Sequence, residues 1–121
     1  MAKKILLIDD DSKILTLEKT ILAQGGFSVD TALDGPEGLA KLKASQYDAI
    51  VLDILLPVMD GYEVARQIKK LDAYKEIPIV MVTATPERDA MKQGFTSGAV
   101  VFLNKPFTAA KLLSAIQTVI K

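Results

Sequence analysis

Residues 5–12 read Ile5-Leu6-Leu7-Ile8-Asp9-Asp10-Asp11-Ser12: four branched aliphatics, three carboxylates, then a helix-capping hydroxyl. The aliphatic run has no polar alternation, so it suits a strand covered on both faces, as in a parallel sheet. Four more runs read as strands, and most of the five are apolar on both faces: Phe27 to Thr31, Ala49 to Leu52, Ile79 to Val82 and Ala99 to Leu103. Helical patterns separate them. Ser12 or Asp11 is placed to cap a first helix carrying Ile14, Leu17, Ile21 and Leu22, which Gly25-Gly26 ends. Asp34-Gly35-Pro36 opens a second with Leu39 and Leu42 inward, and Asp60 with Glu63 forms a capping box for a third through Val64, Ile68 and Leu71. Thr85-Pro86-Glu87 opens a fourth, stopped by Gly94 or Gly98. Thr108 caps a fifth with Leu112, Leu113, Ile116, Val119 and Ile120. Five strands alternating with five helices predict an α/β fold, (βα)5, with right-handed crossovers and an open, doubly wound parallel sheet.

The chain is 121 residues, the size of one domain, read as spanning 1–121. Half of the residues are hydrophobic and 25% are charged, an ordinary globular composition. Fifteen basic and fifteen acidic residues cancel, so the basic footprint of direct nucleic-acid binding is missing. Without cysteine there are no disulfides or thiolate metal sites, and without histidine there is no imidazole catalysis or phosphohistidine carriage. Met1-Ala2-Lys3-Lys4 runs into an apolar stretch too short for a leader or a membrane span, so the expected location is the cytoplasm, away from membranes.

In such sheets chemistry collects where strands end at their carboxyl side. The first strand is followed by Asp9-Asp10-Asp11, the third ends at Asp53, the fourth at Thr83, and the fifth leads into Asn104-Lys105-Pro106. Taken singly, Asp11 is a cap, Asp53 a turn residue, Thr83 a strand residue and Lys105 a surface charge. Together, three converging carboxylates repel and must be neutralised or find a cation. Hard oxygen donors without His or Cys select Mg²⁺. An aspartate beside that ion is a plausible nucleophile toward phosphorus, with Thr83 and Lys105 left to meet phosphoryl oxygens.

These residues resemble a known family. Asp9-Asp10, Asp53-Ile-Leu-Leu-Pro-Val-Met-Asp-Gly61, Val82-Thr83-Ala84 and Gly98-Ala-Val-Val-Phe-Leu-Asn-Lys-Pro-Phe107 closely resemble the receiver domain of two-component response regulators, over essentially the whole chain. The resemblance implies a CheY-like, flavodoxin-like strand order 2-1-3-4-5 and a phosphorylation-activated switch. Asp53 would accept a phosphoryl group from a sensor histidine kinase or phosphotransfer protein. Asp10, Asp53 and the Leu55 carbonyl would ligate Mg²⁺, with Asp9 acting mainly through water. Thr83 and the Ala84 amide would hold the phosphoryl group and Lys105 would pair with it. Phe102 matches the aromatic switch position, and Lys105-Pro106 a peptide that is cis in the family. Such a domain assists its own phosphorylation and dephosphorylation without being an enzyme in the usual sense.

Two departures accompany it: Leu56 stands where Met usually precedes the proline, and Val100-Val101 replace an acidic pair frequent in transcription-factor receivers. The output face is expected on the fourth helix, fifth strand and fifth helix, with Phe95, the valines and Leu113 giving a partner protein an apolar patch. Leu55, two residues beyond Asp53, cannot orient water, which predicts slow self-dephosphorylation; Thr85 is the other residue placed to influence access. Rival readings fare less well. A flavodoxin-type carrier would bring its phosphate against Asp9-Asp10-Asp11, and no P-loop is present. A binding module that never takes up phosphate leaves Asp53, Thr83 and Lys105 without a role. A stand-alone regulator and a receiver cut from a longer protein both fit the sequence.

Overall fold

The computed structural model describes residues 2–84 and 88–120, with the side chains of residues 88–90 left aside. Strands β1 (Lys4–Ile8), β2 (Ser28–Ala32), β3 (Ala49–Asp53), β4 (Ile79–Thr83) and β5 (Val101–Asn104) alternate with helices α1 (Ser12–Gln24), α2 (Gly35–Ala44), α3 (Gly61–Lys70), α4 (Arg88–Ser97) and α5 (Ala109–Val119). All pairings are parallel and the order is β2-β1-β3-β4-β5, so the chain winds to one side of β1 and then to the other. The reversal lies between β1 and β3, where a doubly wound sheet opens its crevice.

Alternation along each strand divides the aliphatics between two cores. Leu6, Ile8, Ile50, Leu52, Ile79 and Met81 face α2 and α3, whose Leu39, Leu42, Val64 and Ile68 close that side. Ile5, Leu7, Val51, Val80 and Val82 face Leu15 and Leu22 of α1 and Leu112 and Ile116 of α5. Strands apolar on both faces are thus explained by two helical layers.

The helix ends follow local chemistry. Asp11, not Ser12, caps α1, accepting from the Lys13 and Ile14 amides. At its other end Phe27 N donates to Leu22 O and Gly26, at φ +94°, takes the left-handed position; this motif consumes Phe27, so β2 begins one residue later than predicted. Asp34 caps α2, with Glu37 reaching back to the Leu33 amide. The reciprocal cap expected at α3 is half formed: Asp60 accepts from Glu63 N, while the Glu63 carboxylate receives Arg66 and Gln67. Gly98, at φ +119°, stops α4, whereas Gly94 lies inside it. Thr85-Pro86-Glu87, read as the opening of that helix, lie outside the described residues. Val100 N already donates to Ile79 O at 2.9 Å, but the register with β4 runs from Val101, so β5 starts there, two residues later than predicted.

One expectation fails on α1. Its buried stripe is Leu15, Glu18 and Leu22; Leu17 is exposed, and Ile14 and Ile21 are half-buried. The helix is rotated from the face the aliphatics suggest, and a glutamate occupies the middle of its core contact.

Candidate functional site

Register brings the acidic residues together. Ile8 pairs with Leu52, so Asp9 and Asp53 leave adjacent strands at the same level. One carboxylate oxygen from each of Asp9, Asp10 and Asp53 lies within 4.8 Å of the others. Asp9 and Asp53 are buried and Asp10 is exposed, so the cluster opens to solvent on one side. Asp53 pairs with Val82 and Thr83 with Asn104, which sets the buried Thr83 one step beyond Asp53 on the neighbouring strand.

Lys105 closes the arrangement. Its backbone N–H donates to Thr83 O at 2.7 Å, anchoring the turn after β5. Its ammonium donates to Asp9 Oδ2 at 2.8 Å and Asp53 Oδ2 at 3.1 Å. The Lys105-Pro106 peptide is cis, as the resemblance implies. The remaining Asp9 oxygen accepts from Asp11 N at 2.9 Å, and Asp53 Oδ1 accepts from Leu55 N at 3.3 Å. The Leu55 side chain is 63% exposed and offers the site no hydrogen bond.

Electrostatics follow from one ammonium serving several carboxylates. Burial, and then the Asp9 charge, raise the Asp53 carboxyl above its ordinary range, which Lys105 only partly offsets. Burial alone would lower Lys105, but its bonds and proximity to Asp9 and Asp53 hold it above the ordinary lysine value. The cluster retains excess negative charge and all-oxygen donors, which suits a hard divalent cation such as Mg²⁺.

Glu18 was hidden in the sequence. It is 3% exposed, and its carboxyl is pushed up to about 7, by burial first and then by Asp9. Only its place midway between Leu15 and Leu22, seven residues apart, could have signalled it.

Phe102 does not join the carboxylates. It is half-buried, packs against the core on the α2–α3 side and meets the Phe95 ring at 6.2 Å. Ala84 is exposed beside Lys105 and Pro106, and Thr85 lies outside the described residues. The expected apolar patch is divided. Phe95 is 44% exposed, and Val100, 54% exposed, sits at the opposite end of the sheet from Lys105. Val101 and Leu113 pack into the α1–α5 core. Leu113 abuts α1 at Gly25, so it does not contribute to a face shared with α4.

Comparison with known proteins agrees with this geometry. The chain is 36% identical over 118 residues to the DNA-binding dual master transcriptional regulator RpaA of Synechocystis sp., covering 98% of this chain and 49% of that protein. It is 36% identical over 121 residues to the alkaline phosphatase synthesis transcriptional regulatory protein PhoP of Bacillus subtilis, covering 100% of this chain and 50% of that one. It therefore spans about half the length of these curated relatives. Chemotaxis protein CheY4 of Vibrio cholerae superposes with a TM-score of 0.96 at 34% identity, covering 99% of this chain and 100% of that one. The receiver domain of a Pseudomonas aeruginosa sensor histidine kinase, solved with a magnesium ion coordinated in its active site cleft, superposes at 0.91 with 29% identity and 98% coverage of both. Among the described residues no helix is long and apolar enough to cross a membrane. The response regulator receiver domain profile matches residues 5–117, and with the acidic cluster at the sheet's crevice the chain belongs to that family of two-component signalling domains.

Proposed function

We propose that Asp53 is the phosphoacceptor, that Asp9 and Asp10 complete a Mg²⁺ site with it, and that Lys105 and Thr83 stabilise the transferred group. One observation carries this reading: Lys105 reaches across from the far side of the sheet to hold Asp9 and Asp53 together. An ammonium already paired with the acceptor oxygen is placed to pair with the phosphoryl oxygens that replace its charge. In the transfer, an Asp53 carboxylate oxygen attacks phosphorus. The bond from phosphorus to the donor nitrogen of a kinase phosphohistidine breaks, and that imidazole keeps the electron pair and takes a proton. Charge developing on the equatorial oxygens is met by the Lys105 ammonium, the Thr83 hydroxyl and the Ala84 amide. Asp9, Asp10, Asp53 and the Leu55 carbonyl would hold Mg²⁺, which when bound neutralises the repulsion between acceptor and incoming phosphate.

The donor is then a sensor histidine kinase or phosphotransfer protein, and the setting is cytoplasmic. The domain catalyses only its own phosphorylation and dephosphorylation. Output is assigned to α4, β5 and α5: the Phe95–Phe102 ring contact ties α4 to the strand that leads to Lys105, so modification at Asp53 shifts the population of that face toward a partner-binding state. Incubation with acetyl phosphate and Mg²⁺, followed by intact mass spectrometry, tests the acceptor. The wild-type chain gains one phosphoryl group and Asp53→Asn gains none. Undiminished uptake by Asp53→Asn, with the adduct mapped away from Asp9 and Asp10, would falsify the assignment.

A further inference from the structure

Helix α1 buries Leu15, Glu18 and Leu22 on a single stripe. A leucine at the middle position would complete an aliphatic seam. Instead there is a carboxylate whose Oε2 has no hydrogen-bond partner among the described residues. Leaving a buried ionisable oxygen unpaired costs enough that such groups are rare and have a reason. Glu18 also lines a groove of about 310 Å³ between α1 and the turn after β5. Ile14, Leu17 and Ile21 form one wall, and Pro106 and Phe107 the other. Lys105 borders it, but its ammonium is hydrogen-bonded to Asp9 and Asp53.

We propose that this groove binds a small organic ammonium ion, a primary amine on an apolar body, with Glu18 receiving the ammonium. The group to be matched is a single carboxylate at the margin of an apolar surface, which a bound ammonium would hold ionised. A bare metal ion is a poor match, because hard cations need several oxygen ligands and the groove's other walls are hydrocarbon. The volume is at the small end of ligand sites, the scale of a small molecule and not of a peptide segment. The groove adjoins the phosphoryl site through Ala84 and Lys105, which line it, but the ammonium's partner is Glu18, which phosphoryl transfer at Asp53 does not use.

Benzylammonium is a suitable probe and benzyl alcohol its neutral counterpart, both titrated into the full chain and followed by amide chemical shifts. Saturable benzylammonium binding is expected, with shifts concentrated at residues 14–21 and 105–107. Affinity should fall at least tenfold for benzyl alcohol and for Glu18→Gln or Glu18→Leu, and should persist in Asp53→Asn. Equal affinity in the Glu18 variants overturns the proposal, as does the absence of saturable binding. Loss of binding in Asp53→Asn places the amine on the acidic cluster instead, which also overturns it. Should the Glu18 variants fail to fold, equal binding of amine and alcohol to the unaltered chain rejects the charge-matched site.

Discussion

A Cβ built on Gly61 would lie 2.4 Å from the carbonyl oxygen of Asp53. Gly61 N donates to Ile54 O at 2.8 Å, so the first turn of α3 is pressed directly against the strand end carrying the acceptor carboxylate. The contact is with backbone, which has no rotamer by which to yield. Helix propensity alone would make Gly61→Ala stabilising by up to about 1 kcal/mol. Overpacking predicts the reverse sign, a loss of about 1 to 3 kcal/mol in urea unfolding. Displacement of Asp53 should also slow phosphate uptake from acetyl phosphate. A stabilised variant with normal uptake would show that the close approach is unimportant.

Lys105 has a contrary pair of effects. Its side chain is largely buried with Asp9 and Asp53, so Lys105→Met leaves two buried carboxylates facing one another. In EDTA the variant should lose about 2 to 4 kcal/mol of stability. With the competing ammonium gone, Mg²⁺ should bind several-fold more tightly and recover most of that loss. Calorimetric titration of both proteins checks this; unchanged Mg²⁺ affinity would mean that Lys105 and the metal do not compete for the same oxygens.

Much of this site was legible because the strands carry no chemistry of their own. Where Ile8, Leu52 and Val82 are apolar on both faces, the polar residue that follows each stands out, and parallel topology gathers those ends. Asp9, Asp53, Thr83 and Lys105 follow from that rule. Glu18 does not, since a charged residue on a helix reads as solvent-facing, and Leu17 beside it drew the predicted stripe to the wrong face. Leu113 was assigned to the partner-binding patch although periodicity marks it as inward, and only the packing of α5 on α1 shows that it meets Gly25 and not that face. The short 3-10 turn Asp72–Tyr74 is closed locally by Tyr74 N donating to Leu71 O, but what buries it is long-range, the Tyr74 hydroxyl donating to Ser45 O, and no local pattern signals that.

Val58 carries strain that a substitution can relieve. It is 86% exposed with φ +70°, and Met59 N donates back to Pro57 O at 2.7 Å, the pattern of a γ-turn with its central residue in left-handed space. A β-branched side chain is poorly suited there, and its exposure means that little burial would be lost. Val58→Asn should stabilise the chain by about 1 kcal/mol, and Val58→Gly by less, because glycine loses more backbone entropy on folding. Urea midpoints that rank valine above asparagine would contradict the strain.

Glu18 sets the last expectation, a pH dependence of stability in metal-free buffer. Its carboxyl is raised from 4.5 to about 7 in the folded chain, by burial first, then by Asp9, with Asp53 adding to the rise and Lys105 opposing it. Between those two values the native state holds a proton that the unfolded state has released. Stability therefore falls as pH rises from about 4.5 toward 7, and is flat in this respect above and below that window. At about 1.4 kcal/mol per pH unit, the full loss is on the order of 3 kcal/mol. The raised Asp53 carboxyl adds a contribution of the same sign, so the Glu18 share is isolated by comparison with variants. Glu18→Gln should flatten the profile between pH 5 and 8, and Glu18→Leu should do so while adding stability at pH 8 by completing the seam between Leu15 and Leu22. Urea unfolding at several pH values, in EDTA, supplies the measurement. Profiles for wild type and Glu18→Gln that run parallel across the window would show that Glu18 enters the fold without a proton cost, contrary to its unpaired burial.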